Sequence, residues 1–405
     1  MTFALPAAYR FAAVAAGIKP SVNKLDVSLV VSDVPAVAAG VYTTNKVFAA
    51  PVALDRSLTP GEGFRAVVMN SGNANACTGE RGLSDAKEMA RLAAATCGAE
   101  PNQALVLSTG VIGVFIPMDR VAAGIQAAAA KLESSQEMLV AAAQGMMTTD
   151  TVHKLAGRSI ELSFGPVRVL GMAKGAAMIA PNMGTMLGLV LTDAPLSPSL
   201  GQDLLSAAVV DTFNCIRVDG HMSTNDTVLL LANGAALSQG SAKQNGQSLT
   251  GSDLAAFRTA LHEVCAELAK AIPADGEGAT HLVTIDVTGC RTRADAHKIA
   301  KSVAESPLVK TALAGADPNW GRIVSAVGYA GVDFDPLDLE LTLNGYLLYR
   351  RGAPVPFDAA VVSKSIRDNR DTSIVLEQTA GAAAVRFWTT DLTAEYVRLN
   401  ADYTT

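Results

Sequence analysis

The sequence predicts a mixed α/β fold in which strands and helices alternate along the whole chain. Short Val-rich runs of strand length occur in both halves. Between them lie stretches with Ala, Leu and Met at three- and four-residue spacing, which is typical of helices with one buried face. No long low-complexity linker, heptad run or internal repeat interrupts this alternation. At 405 residues, the chain is long enough for two or three structural units.

The first half is predicted to begin with strands and to continue with helices. The segments on either side of Gly165-Pro166 are rich in β-branched residues, and Gly and Pro favour a turn, so a β-hairpin is expected there. The other strands are expected at residues 26–31, 46–54 and 64–69, and the helices at residues 84–97, 118–132 and 136–147.

The second half repeats this mixture. Its first two predicted helices each have a Ser at the N-cap position, and the later one is strongly amphipathic. The polar, Gly-rich stretch 238–251 between them is the best candidate for a loop. Helices are expected at residues 199–213, 252–272, 294–304 and 357–367, and strands at residues 281–287, 337–343, 372–376 and 384–389.

Composition and charge exclude several classes of protein. Hydrophobic residues make up 49% of the chain and charged residues 17%, which excludes a disordered chain. The net charge of -6 argues against nucleic-acid binding, because such binding depends on a basic surface. The five histidines show no HxxxH or HExxH spacing, so no metal or other cofactor is predicted. A small-molecule or protein partner is therefore expected.

A cytoplasmic location is expected from the cysteines and from the amino-terminal segment. The five cysteines form an odd set without CxxC pairing, as in proteins of a reducing compartment. The first twenty residues lack the basic start of a secretory signal. Residues 175–192 are uncharged, but Pro181 and Asn182 would break a membrane helix there. A buried strand-loop-strand is expected instead, and no membrane association.

The dipeptide Gly184-Thr185 in this uncharged stretch suits self-cleavage. The missing side chain of Gly184 leaves room for a tetrahedral centre if the Thr185 hydroxyl attacks the Gly184 carbonyl. Hydrolysis of the resulting ester would leave Thr185 as a new amino terminus, whose amine can act as base for its own hydroxyl. From composition alone, the alternative is that Thr185 is an ordinary strand residue beside a Gly bulge.

The chain resembles the ornithine acetyltransferase family, the self-processing glutamate N-acetyltransferases of arginine biosynthesis. The resemblance covers nearly the whole chain, in ordered and spaced motifs. These are VAAGIKPS (14–21), MNSGNANACTG (69–79), STGVIG (108–113), TTDT (148–151), KGAAMIAPNMGTML (174–187), VDGHMSTNDT (218–227), GEGATH (276–281), GADPNWGRI (315–323) and NADYTT (400–405).

The resemblance implies a cut between Gly184 and Thr185, which would give an α chain of residues 1–184 and a β chain of residues 185–405. The resemblance also implies that Thr185 is the nucleophile that carries an acetyl group from N2-acetylornithine to L-glutamate in a ping-pong cycle. Thr109, through its hydroxyl, and Gly110, through its backbone N–H, would stabilise the oxyanion. No cofactor is needed for this exchange.

Further residues are implied in binding the amino-acid substrates. Lys174 suits a carboxylate and Glu277 an ammonium group by charge-assisted hydrogen bonding, although each could also be a solvated turn residue. The resemblance adds Thr151, Asn400 and Thr405, together with Thr185 itself. Asn225, Asp226, Asp317, Asn319 and Arg322 are assigned structural roles in turns and caps.

The fold implied by the resemblance is a layered α/β sandwich, self-cleaved into two intertwined chains, and the implied assembly is a heterotetramer of two α and two β chains. Three departures from the family pattern stand out. Gly184 replaces the usual Ala, which should ease the acyl shift. His221 replaces an acidic residue, and Arg217 is a bulky change nearby.

Three questions stay open at the level of the sequence. One is whether acetyl-CoA is a second donor. Another is whether water replaces glutamate as acceptor, as in an N-terminal-nucleophile amidohydrolase or aminopeptidase. The third is whether the chain stays uncleaved and serves as a non-catalytic binding protein.

Overall fold

The computed structural model describes residues 2–21, 23–179, 186–239 and 249–402, and its strands form two sheets. The strands of the first sheet are β1 (Tyr9–Val14), β2 (Val27–Tyr42), β3 (Gly61–Asn73), β4 (Ala104–Val111), β5 (Lys154–Leu162), β6 (Gly165–Lys174), β7 (Leu187–Thr192) and β8 (Thr227–Ala232). Those of the second are β9 (Leu282–Cys290), β10 (Glu340–Leu343), β11 (Tyr346–Arg350), β12 (Ala353–Pro354), β13 (Asp371–Glu377) and β14 (Ala383–Thr390).

Helices lie between the strands and cover the sheets. They are α1 (Ala50–Leu58), α2 (Gly79–Ala95), α3 (Met118–Ala129), α4 (Gln136–Met146), α5 (Pro198–Asp211), α6 (Ala236–Gln239), α7 (Gly251–Ala274), α8 (Arg293–Glu305), α9 (Pro307–Ala314), α10 (Trp320–Gly328), α11 (Ala359–Arg367) and α12 (Ala394–Asp402). In the described ranges, no helix is both long and apolar enough to cross a membrane.

The first sheet has the strand order β4-β3-β2-β8-β7-β6-β5, with β1 paired to β2. Its central strands β7 and β8 run parallel, and every residue of both is buried. Their sequences, LGLVLT and TVLLLA, carry no charge and do not alternate. This pattern is typical of strands covered on both faces, so β7 is held firmly in the middle of the molecule.

Helices pack on both faces of this sheet. On one face, Leu229 of β8 shares a hydrophobic core with Leu139 of α4. On the other, Leu230 shares a core with Phe257 of α7. Helices α2 and α3 cover the β1–β4 part of the sheet in a further core. The successive residues 229 and 230 therefore face opposite helical layers, as the two-residue period of a strand requires.

The second sheet has the order β12-β11-β10-β13-β9-β14, and α8, α9, α10 and α11 share its core. Trp388 of β14 joins the two halves, because it packs into the α7 core of the first sheet and forms a β-bridge with Ile216. The mixed α/β fold with layered sheets that the sequence predicts is confirmed. The hairpin at Gly165-Pro166 is also confirmed, since β5 and β6 pair antiparallel around it.

The strand predicted at residues 46–54 is wrong, because α1 begins at Ala50. Pro51 lies in the first turn of this helix, where a missing N–H costs nothing and a fixed φ favours helix. In the uncharged stretch 175–192, the second predicted strand corresponds to β7, but the first is wrong, because β6 ends at Lys174 and bends follow at residues 176–178; residues 180–185 lie outside the described residues. Most of the predicted loop at 238–251 also lies outside them.

Candidate active site

A cavity of about 220 Å³ lies near the carboxyl ends of β4 and β6. Five residues that the sequence analysis selected line it, and they come from four separate parts of the chain: Thr109, Gly110, Lys174, Glu277 and Asn400. Gly184, Thr185 and Thr405 lie outside the described residues. The fold therefore brings together the predicted groups that can be placed, apart from Thr151.

Thr109 and Gly110 stand beside Ser71 and Gly72 of the parallel strand β3. A side chain at position 110 would place its Cβ 2.3 Å from the Gly72 carbonyl carbon, and φ of Gly110 is +135°, so only glycine fits. Lys174 Nζ donates a hydrogen bond to Thr109 Oγ1 at 3.3 Å. Because the hydroxyl oxygen accepts this bond, its hydrogen is free to be donated into the cavity.

Lys174 is buried, with 2% of its surface exposed. Burial lowers the pKa of its ammonium group, while the nearby Asp150 carboxylate opposes this effect. Burial also raises the pKa of Asp150, but Lys174 and Lys154 outweigh it, and the pKa falls to about 2. The Asp150 carboxylate and the Lys174 ammonium therefore each favour the charged form of the other.

A buried salt-bridge network continues from Asp150. Lys154 Nζ lies 2.7 Å from an oxygen of Asp150 and 2.7 Å from an oxygen of Asp275. The same oxygen of Asp150, Oδ1, also accepts a hydrogen bond from the Gly175 N–H at 2.6 Å. The network thus ties the end of β6, where Lys174 lies, to the loops before β5 and after α7.

Thr151 belongs to this network rather than to the cavity that holds Lys174. Its N–H and its hydroxyl both donate to Asp275. Thr148 and Thr149 of the same TTDT motif line the cavity instead. The path of the backbone therefore decides which residues of this motif line the cavity.

Glu277 and Asn400 meet at another wall of the cavity. The Asn400 Nδ2 group donates to Glu277 Oε2 at 2.9 Å. Gly278 allows this approach, because a Cβ there would lie 2.5 Å from the backbone N of Tyr396 in α12. Helix α12 therefore folds back over the loop that carries Glu277.

Asp219 and Tyr396 also line the cavity, although the sequence analysis did not select them. Asp219 accepts hydrogen bonds from the N–H groups of Met178 at 2.6 Å and Ile179 at 2.9 Å, and from the Tyr396 hydroxyl at 3.2 Å. It anchors the segment that leads to residue 184. No local sequence signal marks this role, because the partners are about 40 and 177 residues away.

Of the departures from the family pattern, His221 and Arg217 fall within the described residues and have different positions. His221 lines the cavity. Arg217 does not, since it forms an ion pair with Glu305 on α8. The predicted structural role of Asn225 agrees with its contacts, because its Nδ2 donates to the Ser108 carbonyl at 2.8 Å and so supports the residue before Thr109. Asn319 caps α10, as predicted.

Asp226 holds Met186, the residue that follows Thr185 in the chain. The Met186 N–H donates to Asp226 Oδ1 at 2.9 Å. Asp226 is fully buried, and no described residue donates a hydrogen bond to its Oδ2. Burial raises the pKa of this carboxyl to about 8, against the opposing effect of the Met186 N–H and Lys174. Burial therefore favours the protonated form of Asp226.

Replacing Asp226 with asparagine tests this protonation. The pKa of Asp226 is 3.8 in the unfolded chain and about 8 in the folded chain, so folding takes up a proton between these pH values. The contribution of Asp226 to the free energy of unfolding therefore falls as pH rises through this range. Asparagine keeps the acceptor for Met186 and cannot ionise. We expect Asp226→Asn to gain stability relative to the native chain as pH rises, measured by thermal unfolding at about pH 5 and about pH 8.5. A stability difference that is independent of pH would contradict an elevated pKa.

Comparison with known proteins supports the predicted family. The model of the ArgJ family matches residues 10–405. The chain is 47% identical to the arginine biosynthesis bifunctional protein ArgJ of Rhodopirellula baltica, over 99% of this chain and 96% of that protein. The ArgJ protein of Symbiobacterium thermophilum is 48% identical, over 99% of this chain and 98% of the relative. A crystal structure of the Bacillus halodurans ArgJ protein covers 52% of this chain and 96% of its own, at 36% identity and a TM-score of 0.49.

These matches extend over the same parts of the chain as the motifs. The relatives match along almost their whole length, so the similarity is not limited to one shared domain. The predicted membership is thereby confirmed, and the chain belongs to the ArgJ family of arginine-biosynthesis enzymes.

Proposed function

We propose that the chain moves the acetyl group of N2-acetylornithine to L-glutamate through an acetyl ester on Thr185. One observation carries this proposal. A single cavity holds a hydroxyl donor on Thr109, a buried ammonium on Lys174 and a carboxylate on Glu277. These groups complement the developing oxyanion, the α-carboxylate and the δ-ammonium of acetylornithine, respectively.

Maturation comes first. The Thr185 hydroxyl attacks the Gly184 carbonyl, the C–N bond breaks and the freed amine takes a proton, which leaves an ester between the two residues. Water then hydrolyses the ester and leaves an α chain of residues 1–184 and a β chain of residues 185–405. The new amine at Thr185 is the base for its own hydroxyl. The hydrogen bond from the Met186 N–H to Asp226 fixes the backbone next to this nucleophile.

Acetyl transfer uses the same nucleophile. The Thr185 hydroxyl attacks the acetyl carbonyl, and its proton passes to the amine. The Thr109 hydroxyl and the Gly110 N–H stabilise the oxyanion. The C–N bond of acetylornithine then breaks, ornithine leaves with the proton, and acetyl-Thr185 stays behind. The amine of glutamate attacks this ester, releases N-acetylglutamate and restores the Thr185 hydroxyl.

Substrate binding is assigned to the walls of the cavity. Lys174 binds the α-carboxylate, and Glu277, oriented by Asn400, binds the δ-ammonium of ornithine. Thr148 and Thr149 take the role that the resemblance suggested for Thr151, because they line the cavity and Thr151 is bonded to Asp275. Thr405 stays a prediction.

Ornithine release tests the proposal against hydrolysis. With acetylornithine and glutamate, we expect one N-acetylglutamate for each ornithine, since the acetyl group has no other acceptor. Without glutamate, ornithine release should stop after about one turnover per site. Ornithine release that continues undiminished without glutamate would contradict transfer and favour the amidohydrolase alternative. The same assay with acetyl-CoA in place of acetylornithine decides whether there is a second donor.

We also propose a cytoplasmic enzyme built as a heterotetramer of two α and two β chains. The resemblance to the family supports both, and the cysteine usage supports the location.

A further inference from the structure

A second and larger cavity of about 710 Å³ adjoins the candidate active site. The two cavities share Thr148, Thr149 and Glu277 as lining residues, so they meet at these side chains. Its volume is that of a small-molecule site. The maturation and donor steps proposed above make no use of it.

The second cavity is lined by three cationic side chains. Lys19 and Lys24 come from the loop between β1 and β2, and Arg370 precedes β13. Two acidic residues in its wall, Asp150 and Asp275, are already held by Lys154. Beyond Glu277, the side chains of this cavity are therefore suited to an anion.

Lys19, from the VAAGIKPS motif, packs against Gly72 of β3. Its Cγ would lie 3.0 Å from a Cβ at Gly72, and Gly72 pairs with Gly110 in the sheet. The Lys19 ammonium donates to the Leu25 carbonyl at 2.6 Å, and no described carboxylate lies within salt-bridge distance of it. An ammonium group has three donors, so this one retains capacity for a ligand.

The electrostatics around Lys19 agree with an anion site. Burial lowers its pKa to about 8; Asp26 and Asp150 oppose this, and Lys24 and Lys174 add to it. The nearest of these carboxylates, Asp26, is occupied by the backbone N–H groups of residues 16, 18 and 19. A bound carboxylate would supply the counter-charge that the Lys19 ammonium lacks.

The chemistry of the two substrates creates a need for such a site. Glu277 suits the cationic side chain of ornithine, but it repels the side-chain carboxylate of glutamate in the same place. Lys174 is committed to the α-carboxylate that both substrates carry. An enzyme that accepts both therefore needs a cation for the second carboxylate, beyond Glu277.

We propose, resting on the function proposed above, that Lys19, flanked by Lys24 and Arg370, binds the side-chain carboxylate of the acceptor glutamate. Ornithine and glutamate then share the reacting position beside Thr109 and Gly110. Their side chains bind at different walls: the ammonium group of ornithine at Glu277 and the side-chain carboxylate of glutamate at Lys19.

Kinetics of Lys19→Met test this assignment. Methionine keeps the unbranched stem that packs on Gly72 and removes the charge. In a ping-pong cycle, kcat/KM for each substrate reports its own half-reaction only. We expect kcat/KM for glutamate to fall about tenfold or more and kcat/KM for acetylornithine to stay within about twofold. Lys19→Arg should restore most of the loss.

Two further variants serve as controls for misfolding and for nonspecific effects of removing a charge. Lys24→Met alters an exposed side chain that flanks the subsite, so it should lower the same kcat/KM by a smaller factor without disturbing the fold. Lys131→Met removes an exposed lysine outside both cavities and should change neither constant. Equal losses for both substrates in Lys19→Met, or an unchanged kcat/KM for glutamate, would overturn the subsite.

Exchange of labelled ornithine into acetylornithine separates this inference from the proposed function. The exchange passes through the acetyl-Thr185 ester, and neither ornithine nor acetylornithine has an anionic side chain. Lys19→Met should therefore exchange at the native rate. Native enzyme that shows no exchange would contradict the proposed function itself. Normal exchange in the native enzyme with no loss for glutamate in Lys19→Met would overturn only the subsite.

Discussion

Replacing Thr185 with alanine is expected to leave the chain as one piece of 41.7 kDa and to lower acetyl transfer by at least about 10⁴-fold. Alanine lacks the hydroxyl that both the cleavage and the ester need, and without cleavage no α-amine forms at residue 185. Mass spectrometry of the denatured native protein should instead show fragments of about 19 and 23 kDa, in proportion to the residues before and after the cut.

Thr185→Ser is the matched control for this variant. Serine keeps a hydroxyl at the same position, so cleavage and transfer should both persist at reduced rates. An uncut native chain would refute self-cleavage and would favour the hypothesis of a non-catalytic binding protein. A Thr185→Ala protein that is still cut after Gly184 would refute Thr185 as the attacking residue.

Replacing Thr109 with valine is expected to lower kcat by about 10² to 10³, the usual effect of removing one oxyanion donor. Valine has the shape of threonine, and Thr109 is buried, so the cavity keeps its form. The structure explains why the hydroxyl suits this role. Lys174 donates to its oxygen at 3.3 Å, which leaves the hydroxyl hydrogen to bind developing negative charge.

Thr109→Ser separates the hydroxyl from the rest of the side chain. It should retain most of kcat, whereas KM for acetylornithine should change little in either variant, because the interaction forms mainly in the transition state. Both measurements need cleaved protein, since self-cleavage passes through an oxyanion of the same kind. A fully active Thr109→Val enzyme would exclude the hydroxyl from catalysis.

The secondary structure was predictable where periodicity was strong. The amphipathic helix at 252–272 corresponds to α7, and the apolar run after Met186 is the buried strand β7. The failure at residues 46–54 has a local cause. A short apolar run suits a strand or a helix equally, and Pro51 decided in favour of the helix by its position in the first turn.

The sequence indicated several of the residues that line the candidate cavity and missed others. Thr109, Lys174 and Glu277 were selected from motifs and line one cavity. The hydroxyl of Thr151, which the resemblance implied in substrate binding, donates to Asp275, whereas Thr148 and Thr149 of the same motif line the cavity. A motif identifies a short segment, and the path of the backbone decides which of its side chains reach the ligand.

The sequence by itself determined the family, the α/β class and the chemistry expected of Gly184-Thr185, because these depend on residue type and local order. Only the tertiary structure brought Asp219 to Tyr396 and placed Lys19 beside Gly72, in the wall of a second cavity that adjoins the first. It also buried Asp226, with one carboxyl oxygen that accepts no hydrogen bond from the described residues. Such properties arise from contacts between distant segments and from exclusion of water, and these exist only once the sheets and helices have packed together.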